Sequence, residues 1–284
     1  MPESNSGTAP NQAVEAADGV RYTYRRFGTA RPGALPLVFL QHFRGNLDNW
    51  DPALIDPLAA GREVILVDYA GVGGSTGTPA TTVAETAAGV TAFLDALGVG
   101  RYDLFGFSLG GFVAQELALT VPHRVRRLVL AGTAPEGGRD FHHWTGAVAQ
   151  AARRDEPTGE DLLTLFFGPS EANRARGGEF LGRIFARATD RDAPTDLATR
   201  DAQTAAISAW GVPDRSRLER LAALTHPVFV AGGALDVMTP VSNTHLLGGH
   251  LPNAHVFVDP DGGHGFLFER PAAFAAETEA FLSA

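Results

Sequence analysis

The sequence predicts an α/β protein: a mostly parallel central sheet flanked by helices, with an all-helical cap inserted after the sixth strand. Three observations predict it. Short apolar runs such as Leu37-Val38-Phe39-Leu40 and Val64-Ile65-Leu66-Val67 alternate with helical patterns, the rhythm of βαβ units whose strands are buried on both faces. Residues 102–121 read as strand, tight turn and helix without a break. Between Pro135 and Pro213 the rhythm stops and helical patterns alone remain.

Taken in order, residues 20–27 alternate apolar and polar after Asp18-Gly19, predicting an antiparallel edge strand or hairpin. The buried strand 37–40 leads into the loop Gln41-His42-Phe43-Arg44-Gly45-Asn46, and a helix is expected over 52–60. Strand 63–68 runs into Gly71-Val72-Gly73-Gly74-Ser75. That loop has the glycine content of a phosphate cradle, but it lacks the P-loop lysine and no helix opens on it, so it reads as a tight structural turn. Helix 82–97 places Val83, Val90, Phe93, Leu94 and Leu97 on one face, with Gly98 as its stop. The strand–turn–helix of 102–121 and strand 125–131 follow. The cap helices are expected at 144–154, 159–167, 171–188 and 196–210. An insertion placed there covers the strand ends, where α/β proteins bind ligands. The rhythm resumes with strand 228–232, a helix near 242–248, strand 255–258 and a helix over 271–282. The domains are therefore a disordered tail at 1–17, a core at 18–134 and 214–284, and the cap at 135–213.

Composition narrows the chemistry. The 284 residues are 44% apolar and 19% charged, as in ordinary globular proteins, and a formal charge of −9 speaks against a nucleic-acid partner. There is no cysteine, which excludes disulfides, thiolate metal sites and a cysteine nucleophile. There is no lysine either, so Schiff-base chemistry is excluded. No apolar stretch is long enough to span a bilayer, and the first residues have neither a basic start nor a hydrophobic run. The expectation is a cytoplasmic protein without membrane association. Its oligomeric state is not legible.

The turn in 102–121 is Gly106-Phe107-Ser108-Leu109-Gly110. Small residues two positions either side of Ser108 let a strand reverse sharply into a helix, lifting the hydroxyl above the sheet edge. The helix then aims its N-terminal N–H groups and positive dipole at the same point. A serine hydroxyl needs a base within hydrogen-bond reach, itself oriented by an acid. Strand 228–232 is followed by a loop carrying Asp236, and strand 255–258 by a loop carrying His264, in the order Ser, Asp, His. Rival acids are Glu136, after the preceding strand, and Asp259 or Asp261, which lie close to His264 along the chain. Of the nine histidines, His142 and His143 sit in the cap, where adjacent positions point apart and form no metal pair. An oxyanion hole needs two convergent N–H donors, and Leu109 and Phe43 are the best placed to supply them.

With these residues assembled, the chain resembles the serine-nucleophile branch of the α/β-hydrolase-fold superfamily over about residues 18–283. Gly106 to Gly110 is similar to its nucleophile elbow, Gly232 to Asp236 with Pro240 to its acid loop, and Gly263-His264 to its histidine loop. Asp68 through Ser75 matches its glycine-rich turn. One departure is Gln41-His42, where these proteins usually have His-Gly. His42 either lines the pocket or reshapes the loop.

The resemblance implies esterase, lactonase or haloperoxidase-like chemistry, and Ser108 speaks against the dehalogenases and epoxide hydrolases, which use aspartate. The expected activity is hydrolysis of a small to medium apolar ester or related acyl substrate, with no metal or organic cofactor. Perhydrolysis, carbon–carbon cleavage, lyase chemistry at the same triad, or a slow-turnover ligand sensor are the alternatives. His42, Trp144, Phe166, Phe167, Phe185 and Trp210 are candidate pocket residues.

Overall fold

A computed structural model describes residues 5–284. Eight strands form one sheet: β1 (Gln12–Glu15), β2 (Arg21–Phe27), β3 (Leu37–Leu40), β4 (Val64–Val67), β5 (Tyr102–Phe107), β6 (Val125–Ala131), β7 (Val228–Gly233) and β8 (Ala254–Asp259). Their spatial order is β1-β2-β4-β3-β5-β6-β7-β8. β1 and β2 pair antiparallel, as do β2 and β4, and every pairing from β3 to β8 is parallel.

Helices cover both faces: α1 (Pro52–Ala59), α2 (Val83–Ala96), α3 (Leu109–Thr120), α9 (Ser242–His250) and α11 (Pro271–Ser283). β3, β4 and β5 are buried along their whole length, which is why they read as continuous apolar runs. The Phe39 and Phe105 rings stack across β3 and β5 at 4.7 Å, with Trp50 edge-on to both. α2 starts on a capping box in which Thr82 accepts from Glu85 N–H and Glu85 accepts from Thr82 N–H. It stops at Gly98, whose φ of +68° suits only glycine.

Between β6 and β7 lie α4 (Gly146–Arg153), α5 (Gly159–Phe166), α6 (Glu171–Ile184), α7 (Leu197–Trp210) and the single turn α8 (Arg215–Leu218). This insertion is fastened to the core. Arg183 of α6 pairs with buried Asp51 at 2.7 Å. The irregular segment between α6 and α7 is held by Asn46 Nδ2 donating to Ala193 O (2.8 Å) and Thr195 Oγ1 donating to Arg44 O (3.2 Å). Leu47 N–H is shared between Asp68 Oδ1 (3.1 Å) and Asp192 Oδ2 (3.2 Å).

The structure departs from the expectations in two places. Residues 12–15, expected in a disordered tail, form β1, which covers the edge of β2; the first four residues of that tail lie outside the described residues. β2 is consequently the second strand of a β1–β2 hairpin, the latter of the two expected arrangements, and lies inside the sheet. α6 ends at Ile184 rather than 188, because Phe185 caps it and the chain turns back toward the core. Among the described residues no helix is long and apolar enough to cross a membrane.

Candidate active site

Three loops at the carboxyl ends of β5, β7 and β8 build the site. After β5 the chain reverses at Ser108, which has φ +55° and ψ −119°, outside the helical and extended wells. The surrounding backbone imposes that strain. Ser108 N–H donates to Ala131 O at 2.9 Å, and Ser108 O accepts from Thr133 Oγ1 (2.8 Å) and Gly111 N–H (2.8 Å). A Cβ on Gly106 would overlap the Gly110 carbonyl, and one on Gly110 would overlap the Leu40 carbonyl. Glycine is therefore required at both places.

After β7, Asp236 turns its carboxylate inward. Oδ1 accepts N–H bonds from Met238 and Thr239, both at 2.8 Å. Oδ2 accepts from His264 Nδ1 at 2.7 Å, and both side chains are buried. With its proton on Nδ1, the imidazole keeps a lone pair on Nε2. Ser108 and His264 line one cavity of about 330 Å³. Asp236 and His264 are thus joined, whereas His264 Nε2 has no hydrogen-bond partner among the described residues.

Leu109 opens α3, so its N–H has no intrahelical carbonyl to bond. Phe43 N–H bonds no backbone carbonyl among the described residues. Phe43 lines the cavity beside Ser108. The rival acids are engaged elsewhere. Glu136 is paired with Arg217 at 2.9 Å and with Arg220, and Asp259 accepts from Asp261 N–H and faces Arg270.

His42 lies in the cavity wall, packed edge-on between the Phe107 and Phe166 rings. Its Nδ1 donates to Phe43 O at 2.9 Å. The Nε2–Cε1 edge is turned to Gly45, where a Cβ would stand 2.9 Å from it and 2.5 Å from Gln41 Oε1. Nδ1 thus serves the loop, whereas Nε2 is buried with no hydrogen-bond partner among the described residues. Burial is the main reason its pKa falls from 6.5 to about 4, against the Phe43 carbonyl, which raises it.

Phe166 and Phe185 also line the cavity. Trp144, Phe167 and Trp210 do not, which corrects the sequence expectation. Trp144 packs on Phe43 and donates Nε1 to Met238 O at 3.0 Å; Phe167 packs on Phe180; Trp210 stacks on Phe112 at 5.4 Å. All three are large rings needed to fill space between insertion and core. Residues that sequence reasoning missed include the apolar Ala152 and Leu165 and the charged Asp48, Arg191 and Asp192. The first group sits on predicted helices, where its orientation had no signal. Arg191 and Asp192 belong to an aperiodic segment.

The glycine-rich turn after β4 is a packing device. Gly74 N–H donates to Asp68 Oδ2 (3.3 Å) and Ser75 Oγ to Asp68 O (2.9 Å). Burial first, then the neighbouring Asp192 carboxylate, pushes the Asp68 carboxyl well above its usual range. Among the described residues no group of three or more His, Asp or Glu is arranged to hold a metal.

The sheet order, the elbow at Ser108 and the loops after β7 and β8 define a hydrolase of the α/β type, and over residues 36–271 the chain matches the alpha/beta hydrolase fold family, to which it belongs. A solved alpha/beta hydrolase fold protein from Chitinophaga pinensis is similar to it at 38% identity and a TM-score of 0.92, over 99% of this chain and all of that one. The putative non-heme bromoperoxidase BpoC of Mycobacterium tuberculosis is 30% identical over 84% of this chain and 90% of its own length. The dihydrolipoyllysine-residue acetyltransferase component of the acetoin cleaving system of Cupriavidus necator is 31% identical over 91% of this chain, which spans 66% of that relative's length.

Proposed function

We propose that the protein is a serine hydrolase that cleaves a small to medium apolar carboxylic ester, or a related acyl substrate, through an acyl-enzyme. The observation that carries the reading is the buried Asp236–His264 hydrogen bond of 2.7 Å beside Ser108 on one cavity wall. His264 Nε2 takes the Ser108 proton as Oγ attacks the carbonyl carbon, and Asp236 holds the imidazole in the required tautomer. The negative charge moves to the carbonyl oxygen, where the N–H groups of Phe43 and Leu109 stabilise it; each such donor is typically worth about 3 kcal/mol. The tetrahedral adduct collapses as His264 returns the proton to the leaving alcohol. Water, deprotonated by His264, then attacks the acyl-enzyme and regenerates Ser108.

The helical insertion acts as the cap of this site. Ala151, Ala152, Leu162, Leu165 and Ile184 give it an apolar wall suited to an acyl chain. Asn46, Asp48 and Arg191, which also line the cavity, suit the more polar end of the ester. The likeness to a bromoperoxidase favours one second reading, perhydrolysis, in which hydrogen peroxide replaces water at the same acyl-enzyme. Release of p-nitrophenol from acetate, butyrate and octanoate esters tests the first reading, with peroxide plus carboxylate testing the second. Ester turnover that falls by about 10⁴-fold or more in Ser108→Ala supports the proposal. Equal turnover in that variant contradicts it.

A further inference from the structure

His264 sits among glycines 262, 263 and 265, so no flanking side chain can anchor it. Close packing requires them. A Cβ on Gly262 would stand 2.5 Å from Phe266 Cβ, and one on Gly263 would stand 2.6 Å from Phe166 O. Such a loop has much conformational freedom to lose, and it is held by its backbone. Leu235 N–H donates to Gly262 O at 2.9 Å, and Gly265 N–H donates to Phe166 O at 2.6 Å. Phe266 N–H donates to Gly263 O at 3.3 Å and Phe268 N–H to Gly265 O at 2.8 Å, and a further tether is a side chain. Gly263 N–H donates to Glu269 Oε1 at 2.9 Å.

Glu269 ends the single turn α10 (Phe266–Glu269), and its side chain is 1% exposed. Burial pushes its carboxyl up, while Gly263 N–H and Arg176 pull it down. Arg176 of α6 brings Nη1 to 3.6 Å from Oε2. A buried carboxylate is costly unless its partners compensate it, and a leucine would fill this space at less cost. What the carboxylate supplies is an acceptor for the N–H next to the catalytic histidine.

We propose that Glu269 is a positioning residue for His264, fixing through Gly263 N–H the backbone that carries the imidazole. Arg176 connects this tether to the helical insertion. The assignment rests on His264 acting as the base of the hydrolase. Glutamine at 269 preserves the Oε1 acceptor, and leucine removes it. Glu269→Gln is expected to keep kcat within about threefold, and Glu269→Leu to lower kcat about 30-fold with KM within twofold, as for misplacement of a catalytic group. The low-field proton resonance of His264 Nδ1–H against Asp236 should persist in the glutamine variant and broaden or vanish in the leucine variant. If Glu269→Leu does not fold, Glu269→Ser, whose hydroxyl is too short to reach, takes its place. A folded variant without the acceptor that keeps both kcat and the resonance would overturn the proposal. So would a glutamine variant as impaired as the leucine one. The resonance requires no turnover, so it judges the tether even if esters prove not to be substrates.

Discussion

Asp236 Oδ2 accepts the Nδ1 proton of His264 at 2.7 Å, joining two buried side chains 28 residues apart. The contact depends on a second feature of the same carboxylate: Oδ1 is already committed to the N–H groups of Met238 and Thr239. The carboxylate cannot rotate without losing both. An asparagine would keep its carbonyl toward those donors and turn its NH₂ to the imidazole, imposing the wrong tautomer. Asp236→Asn is expected to fold normally and to lose on the order of 10⁴ in ester kcat/KM at neutral pH. Steady-state kinetics beside a thermal melt separate loss of chemistry from loss of fold.

Glycines in this chain divide sharply by what surrounds them. Gly110→Ala drives a Cβ into the Leu40 carbonyl beneath the elbow and is expected to abolish soluble, folded protein. Gly178 and Gly182 lie exposed within α6 with nothing within 4 Å of an added Cβ. Alanine at each is expected to stabilise by about 1 kcal/mol through helix propensity. Soluble yield of Gly110→Ala, beside urea titration of the two α6 variants, checks the contrast.

Stability should fall in mild acid through His42. Its pKa drops from 6.5 to about 4 on folding, so the unfolded chain binds the extra proton between those values. The contribution is fully present above pH 6.5 and is lost as pH falls toward 4, amounting to roughly 3 kcal/mol. In His42→Phe that part of the pH dependence disappears. The difference between wild-type and variant unfolding free energies across pH 4 to 7 is the quantity to measure.

The Asp68–Asp192 contact predicts the opposite slope. The Asp68 carboxyl is held well above its usual range, so the folded state binds the extra proton. Its contribution is complete below the unfolded value of 3.8 and is lost as pH rises through the raised folded value. Asp192→Asn removes the second carboxylate beside Asp68 and offers it an N–H instead. Melting temperatures should show the variant gaining on wild type as pH rises above 3.8; a constant difference across pH contradicts the raised Asp68 carboxyl.

Much of this was legible because it is local. β3, β4 and β5 announce themselves as runs buried on both faces, and the Ser108 turn by glycines whose absence of Cβ is required. The strand pattern puts Asp236 and His264 in the loops after β7 and β8, which the structure joins by a hydrogen bond. β1 escaped because Gln12–Glu15 alternates too weakly over four residues and owes its conformation to pairing with β2. The pocket lining escaped for a related reason. Trp144 and Trp210 looked like pocket walls by size, yet whether an aromatic ring faces a cavity or fills a seam depends on where α4 to α7 settle, which periodicity does not encode. Glu269 gave no signal as a lone acid in an apolar stretch.

The most direct test of the account is covalent. An organophosphonate ester is incubated with wild type, Ser108→Ala and His264→Ala, and the products are mapped by peptide mass spectrometry. One adduct on the Ser108 peptide of wild type, none in Ser108→Ala, and labelling slowed by orders of magnitude in His264→Ala is the predicted result. Labelling at another residue, or at an equal rate in Ser108→Ala, would contradict it.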